Sequence, residues 1–345
     1  MPRTRANAWI MTAGLLLLAF CFFCILFFGP VDIPGIDVWN VLLGRETGNP
    51  YVKTIVLESR LSMAIAAAAC GASLSVAGLM MQTIFHNPLA GPSVLGISSG
   101  ASFGVALFML CTGGIFLFDA GLWQPFLSVL TALAGGLITI LILFAFSSFL
   151  KSGVALLVVG VMLGYLFSSG ISLLNYFAKA DEIRNYLIWG LGSFSGLSLH
   201  SSLWMTAATV PVLIICFLYV KPLNAMLLGE RYVESVGYRM GRVRGGILLL
   251  TGLLVAVATA FCGPIGFIGL VVPHLCRMLF RTSNHLVLMP ASIIFGAMLS
   301  SLCALLSILP AERFGVLPVN VITPLLGVPV IFFLLTNRKR LPYLT

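Results

Sequence analysis

Hydrophobic residues along this chain collect into long runs almost free of charge, separated by short polar stretches. A membrane-crossing helix needs about 20 such residues. Runs of that kind occupy 8–29, 61–84, 93–112, 124–149, 154–175, 201–220, 246–262, 286–307 and 319–336, with a shorter one at 265–278. The pattern predicts an all-α polytopic membrane protein with about ten transmembrane helices. The first run follows Met1-Pro-Arg-Thr-Arg5 and starts like a secretory signal. It lacks a small-x-small cleavage site before Gly29-Pro30, so a retained helix is expected.

Two stretches break the apolar pattern: Gln82 to Gly96, with Pro88 and Pro92, and Gly263 to His274, with Pro264 and Pro273. Backbone that Pro and Gly break at membrane depth has N–H and C=O groups that hydrocarbon cannot satisfy. Such segments must be buried in protein or line a cavity. A matched pair of broken segments in two halves of a membrane protein points to a transport pathway. The candidate pathway residues are Asn87, Pro88, Leu89 and Pro92 in the first break. In the second they are Gly263, Pro264, Gly266, Phe267, Gly269 and Pro273. Spans 61–84 and 246–262 run in opposite directions. Residues 61–175 and 246–336 are therefore expected to form the inverted-repeat halves of a single permease domain, 1–345.

Composition agrees: 60% of the 345 residues are hydrophobic and 8% are charged, against about 25% charged in a soluble domain. With both termini in the cytoplasm, only Arg45, Lys53, Arg60, Lys179, Arg184 and Arg313 of the 19 basic residues fall outside. Of the 10 acids, only Glu230 and Glu234 fall inside. That is the positive-inside pattern, so the net charge of +9 is topogenic. No stacking or basic-stripe signal points to nucleic acid. The eight cysteines are scattered through apolar runs and read as small buried hydrophobes. The spans are expected to hold no Asp, Glu, Lys or Arg, with His274 their one imidazole, which argues against ion coupling. There is no G-x-x-x-x-G-K-[ST] loop. The chain is thus expected to be no enzyme, with no catalytic or metal residues and no directly bound cofactor. Energy for active transport would enter through a partner.

The longest inner loop, 221–244, is where that partner is sought. Glu230 and Glu234 stand at i,i+4, Val233 and Val236 on a neighbouring face, and Gly237 ends the segment. This predicts a short amphipathic helix with a glycine cap; the alternative is a solvated connection with a topogenic Arg cluster. Ala67, Gly71, Ser75 and Gly78 have the spacing that lets helices approach closely. His274 is expected to bond a carbonyl freed by Pro273. Residues 175–190 form an amphipathic outer segment with Trp189 at the interface.

With these residues in view, the chain resembles the FecCD-type permeases. These are membrane subunits of ABC importers for iron–siderophore chelates, haem and cobalamin. The matching residues are Arg60-Leu61, Asn87-Pro-Leu-Ala-x-Pro92 with Leu95-Gly96-x-Ser98, Gly229-Glu230 with Val236-Gly237, the whole Gly263–His274 string, and Pro318 with Thr323 and Gly327-Val-Pro329. The resemblance implies a homodimer in the bacterial cytoplasmic (inner) membrane. Its partners would be two ATP-binding-cassette ATPase subunits, which use the ATP, and a periplasmic or lipoprotein binding protein. Glu230, Glu234 and Gly237 fall in the segment that relatives use to contact the ATPase. Relatives often carry R-L-P-R before the second span; here Arg60 is kept and the second arginine is Met63. Arg60 and Arg313 are thus the expected docking residues for the binding protein. An energy-independent facilitator or channel would share the broken helices but have no use for the Glu230–Gly237 element.

Overall fold

The computed structural model describes residues 2–45, 49–111, 124–150, 153–309 and 315–336. Its described elements are helical throughout. Helix α1 (Pro2–Phe27) leads to the short α2 (Gly35–Leu42) and α3 (Pro50–Thr54). A π-helical turn, Ile55–Leu61, then runs straight into α4 (Ser62–Ile84). Next come α5 (Ile97–Cys111), α6 (Gln124–Phe149), α7 (Gly153–Phe177), the short α8 (Ala180–Gly190) and α9 (Leu199–Cys216). The connecting helices α10 (Val220–Met226) and α11 (Glu230–Ser235) precede α12 (Met240–Cys262), α13 (Ile268–Phe280), α14 (His285–Ile308) and α15 (Val319–Thr336).

Among the described residues, seven helices are long and apolar enough to cross a membrane, and the shorter apolar stretches Ile97–Cys111, Ile268–Phe280 and Val319–Phe332 occupy the other three predicted spans. The third span starts later than its hydropathy predicts. Pro92–Leu95 forms a 3-10 turn, and Gly96 at φ 72° separates it from α5.

Helices α4 and α12 form the centre: 83% and 78% of their apolar windows are buried, against 11% for α7. Small residues make the closeness possible. Gly71 of α4 faces the Gly296 carbonyl of α14, where an added Cβ would lie 2.1 Å from the oxygen. Ser75 and Ser300 hydroxyls donate across the same seam to the carbonyls of Ser292 and Ala67, each at 2.6 Å. The predicted small-residue face thus packs against α14 and α13.

These pairs also give direction. Ala67 meets Ser300, and Thr83 meets His285, so α4 and α14 are antiparallel. Gly136 meets Ala256 and Gly245 meets Phe144, so α6 and α12 are antiparallel too. Helix α9 runs with α4 (Ser62–Leu197, Ser73–Thr209) and against α12 (Met205–Cys262, Tyr219–Gly246). Consequently α4 and α12 run in opposite directions. One face of the bundle then carries residues 85–89, 220–244 and 281–285; the other carries Arg60, Gly192, Gly263 and Asn320.

The expectation of a charge-free interior is corrected. Arg277 lies within α13, and Arg60, Arg244 and Arg277 are all buried. Each is tolerated because its guanidinium has oxygen partners, the condition for burying a charge.

Candidate functional site

The first broken segment begins where α4 stops. His86 adopts φ 46°, and the Asn87 side chain accepts from the Leu89 N–H at 2.9 Å, an Asx turn that sets the chain up for Pro88. Ala90 N–H then bonds the Asn87 carbonyl at 3.0 Å. Pro92 is buried and Leu89 is exposed.

The second begins at Gly263, φ 77°, where a Cβ would lie 2.7 Å from the Trp189 carbonyl and 3.1 Å from the Gly192 Cα. Only glycine meets both the backbone angle and the contact. Asn320 of α15 then satisfies the broken backbone. Its Nδ2 donates to the Pro264 carbonyl, and its Oδ1 accepts from the Gly266 N–H at 3.2 Å. Sequence reading missed Asn320; its position just after Pro318, at the start of the last span, was the available signal. Phe267 follows at φ 68°, a strained angle for an aromatic residue and of the kind found at functional sites. The expected partner of His274 is shifted by one residue. Its Nδ1 lies 3.0 Å from the carbonyl of Leu270, not from that of Gly269 four residues before Pro273.

The two breaks share a cavity of about 470 Å³. Ser93 comes from the first break and Pro264 to Phe267 from the second. Ser98, Ser99 and Ser102 of α5, Ser168 of α7, Tyr186 of α8 and Asn320 supply the polar wall. Burial pushes the Tyr186 phenol up to about 12, so it remains a neutral hydrogen-bonding group. Trp189 stacks on it with centroids 6.2 Å apart, placing this residue against the protein. Of the expected pathway residues, the cavity gathers Pro264, Gly266 and Phe267. Gly269 instead packs against the Pro92 ring, which joins the two breaks, and against the Leu74 carbonyl of α4. Asn87, Pro88 and Leu89 lie on the opposite face.

The 220–235 segment folds as α10 and α11. Glu230 opens α11, Val233 is fully buried, and Gly237 at φ 92° caps it. The cap is a Schellman motif, with Gly237 N–H bonding the Glu234 carbonyl at 3.0 Å and Tyr238 N–H the Val233 carbonyl at 3.2 Å. Val236, which the sequence sets on one face with Val233, is exposed. Glu234 is exposed as well. The Glu230 carboxylate accepts from Arg244 at 2.8 Å, and Arg244 also donates to the Leu150 carbonyl at 3.1 Å. Glu230 thereby fastens α11 to the start of α12 and the end of α6.

Arg60, expected at the mouth of the second span as a docking charge, is placed inside the protein. It is 4% exposed, and its guanidinium donates to the carbonyls of Leu26 and Phe27, each at 2.9 Å, and of Val31. It pins the end of α1 to the π turn before α4. Arg60→Leu should therefore destabilise the protein by about 2 kcal/mol or more, because several buried carbonyls lose their donor. A melting curve of the solubilised protein checks this; an unchanged midpoint would contradict the pinning role. Arg313 lies outside the described residues.

A family model described as the FecCD transport family matches residues 16–337. The chain belongs to that family. It is 35% identical over 295 residues to the vitamin B12 import system permease protein BtuC of Escherichia coli O9:H4 (strain HS), covering 84% of this chain and 86% of that one. It is likewise 35% identical over 309 residues to BtuC of Serratia proteamaculans (strain 568), covering 88% of each. A solved inward-facing structure of a metal-chelate type ABC transporter superposes with a TM-score of 0.82 at 27% identity, covering 96% of this chain and 99% of the other. This permease is thus a multi-pass membrane subunit of an ABC importer, a transport subunit whose ATP is hydrolysed by a partner chain. A binding protein that delivers the cargo belongs to the same system.

Proposed function

We propose that the permease carries a metal chelate, with cobalamin the first cargo to test, through a path formed by two copies of the chain. The observation that carries this reading is the cavity joining the two breaks, whose described lining is apolar or uncharged polar. Such a wall suits a bulky chelate whose metal is already enclosed in its own ligand shell. The similarity to vitamin B12 permeases supports the same choice. Helix α7 flanks the cavity, is largely exposed, and carries the exposed residues Ser169 and Ser172 beside the cavity-lining Ser168. Exposed hydroxyls on a membrane helix favour a protein neighbour over lipid, which supports the homodimer. The opposed directions of α4 and α12 support two inverted halves, and α11 with its glycine cap supports a docking face for the ATPase at Glu230, Glu234 and Gly237. The test is uptake into vesicles by the permease with its ATPase and binding protein, offered cobalamin, haem or a ferric siderophore. ATP-dependent accumulation of one of them is expected. Downhill passage without ATP would favour a facilitator.

The face bearing 220–244 is read as cytoplasmic, with both termini on that side, from the distribution of basic residues. In a cysteine-free background, an impermeant thiol reagent should reach a cysteine at 181 from outside and one at 234 only from inside. External labelling at 234 would reverse the assignment.

A further inference from the structure

We infer that His285 is the strut linking the 220–235 segment to the first broken segment, a positioning residue for transport. The inference rests on the reading that this segment meets the ATPase. His285 opens α14 and is 1% exposed. Its N–H donates to the Asn224 Oδ1 of α10 at 2.8 Å, and its ring Nδ1 lies 2.9 Å from the same oxygen. On the far side of the ring, Nε2 lies 2.8 Å from the Thr83 hydroxyl of α4.

The surroundings fix the direction of this chain. Asn284 Oδ1 accepts from the Leu286 N–H at 2.9 Å and from Asn224 Nδ2 at 2.9 Å, so the Asn224 amide can point only one way. Its oxygen therefore faces His285, and Nδ1 carries the ring hydrogen. In the neutral ring, Nε2 then accepts from Thr83. That hydroxyl also lies 2.9 Å from the Leu79 carbonyl, but it has one proton to give. Leaving Nε2 without it would strand a buried acceptor. The result is a directed relay, Thr83 to His285 to Asn224 to Asn284, spanning three helices.

A second tie runs beside it. His86 Nε2 donates to the Met226 carbonyl of α10 at 2.9 Å. Thr83 and His86 flank the end of α4, directly before Asn87. Helices α10 and α11 sit on buried Leu223, Met226 and Val233, so a push on α11 moves α10 with it. Displacement of α10 then pulls on the entry to the first break through Asn224 and Met226 together.

The test uses the complex with its ATPase in vesicles, in a cysteine-free background carrying Leu89→Cys as a reporter in the break. ATP binding is expected to change the thiol-labelling rate at position 89. In Thr83→Val and in His285→Leu that ATP-dependent change should shrink about tenfold, while assembly and basal ATP hydrolysis persist. Thr83→Ser, which keeps the hydroxyl, should behave as the parent. A merely structural role would alter assembly or melting and leave the ATP dependence intact. If His285→Leu does not assemble, Thr83→Val decides. An undiminished change at 89 in Thr83→Val, or a parent that labels identically with and without ATP, overturns the strut. A cysteine at 234 that fails to crosslink to the ATPase in the parent overturns the docking reading, and the strut with it.

Discussion

Gly78→Val should abolish uptake and destabilise the purified permease by about 3 kcal/mol or more. A Cβ at position 78 would sit 1.7 Å from the Gly269 carbonyl oxygen and 2.8 Å from the Gly269 Cα. Both obstacles are backbone, so no side chain can swing aside. The approach is equally tight seen from α13. A Cβ on Gly269 would itself lie 2.5 Å from the Leu74 carbonyl and 2.7 Å from Pro92 Cγ. Helices α4 and α13 thus meet backbone to backbone, with the Pro92 ring of the first break against Gly269, and prising this contact open separates the two breaks. Gly241 has open space where its Cβ would go, so Gly241→Ala serves as the control. Melting of the solubilised protein and ATP-driven uptake are the measurements. A Gly78→Val permease that melts with the parent would show that the seam yields at little cost.

That seam was half legible in the sequence. The spacing of Ala67, Gly71, Ser75 and Gly78 announces a close approach but not its partner, because the facing Gly269, Ser292, Gly296 and Ser300 stand about two hundred residues away. The ten spans were legible for a simple reason: crossing hydrocarbon sets a minimum apolar length that composition alone reveals. The breaks were legible through their prolines and glycines. What satisfies them was not, since Asn320 and the Asn224–His285–Thr83 relay are pairings between distant segments with no local pattern. Arg60 shows the same limit. Its place at a span mouth suggested a docking charge, whereas the last turn of α1 and the connection after it turn three carbonyls onto its guanidinium.

Energy coupling should depend on Glu230 more than on Glu234, although both carboxylates face the same side. Helix α11 has six residues, too few to hold its shape unaided. Buried Val233, the glycine cap and the Glu230–Arg244 pair hold it. The Arg244 side chain is 5% exposed and that of Glu230 45%, so water screens the pair and its contribution to global stability is small, about 0–1 kcal/mol. The effect should therefore appear in transport rather than in melting. Glu230→Ala frees the start of α11 and should cut ATP-driven uptake about tenfold, the scale of a modest coupling free energy. Glu230→Gln keeps an acceptor for Arg244 and should lose much less. Arg244→Lys should resemble Glu230→Ala, since an ammonium lacks the planar fork that bonds Glu230 and the Leu150 carbonyl together. If the two groups act as one unit, Glu230→Ala combined with Arg244→Ala should be no worse than the more damaging single change. Additive losses, or equal losses in Glu230→Ala and Glu234→Ala, would mean that the carboxylates act only through their own contacts with the ATPase and that the anchor to α12 is incidental.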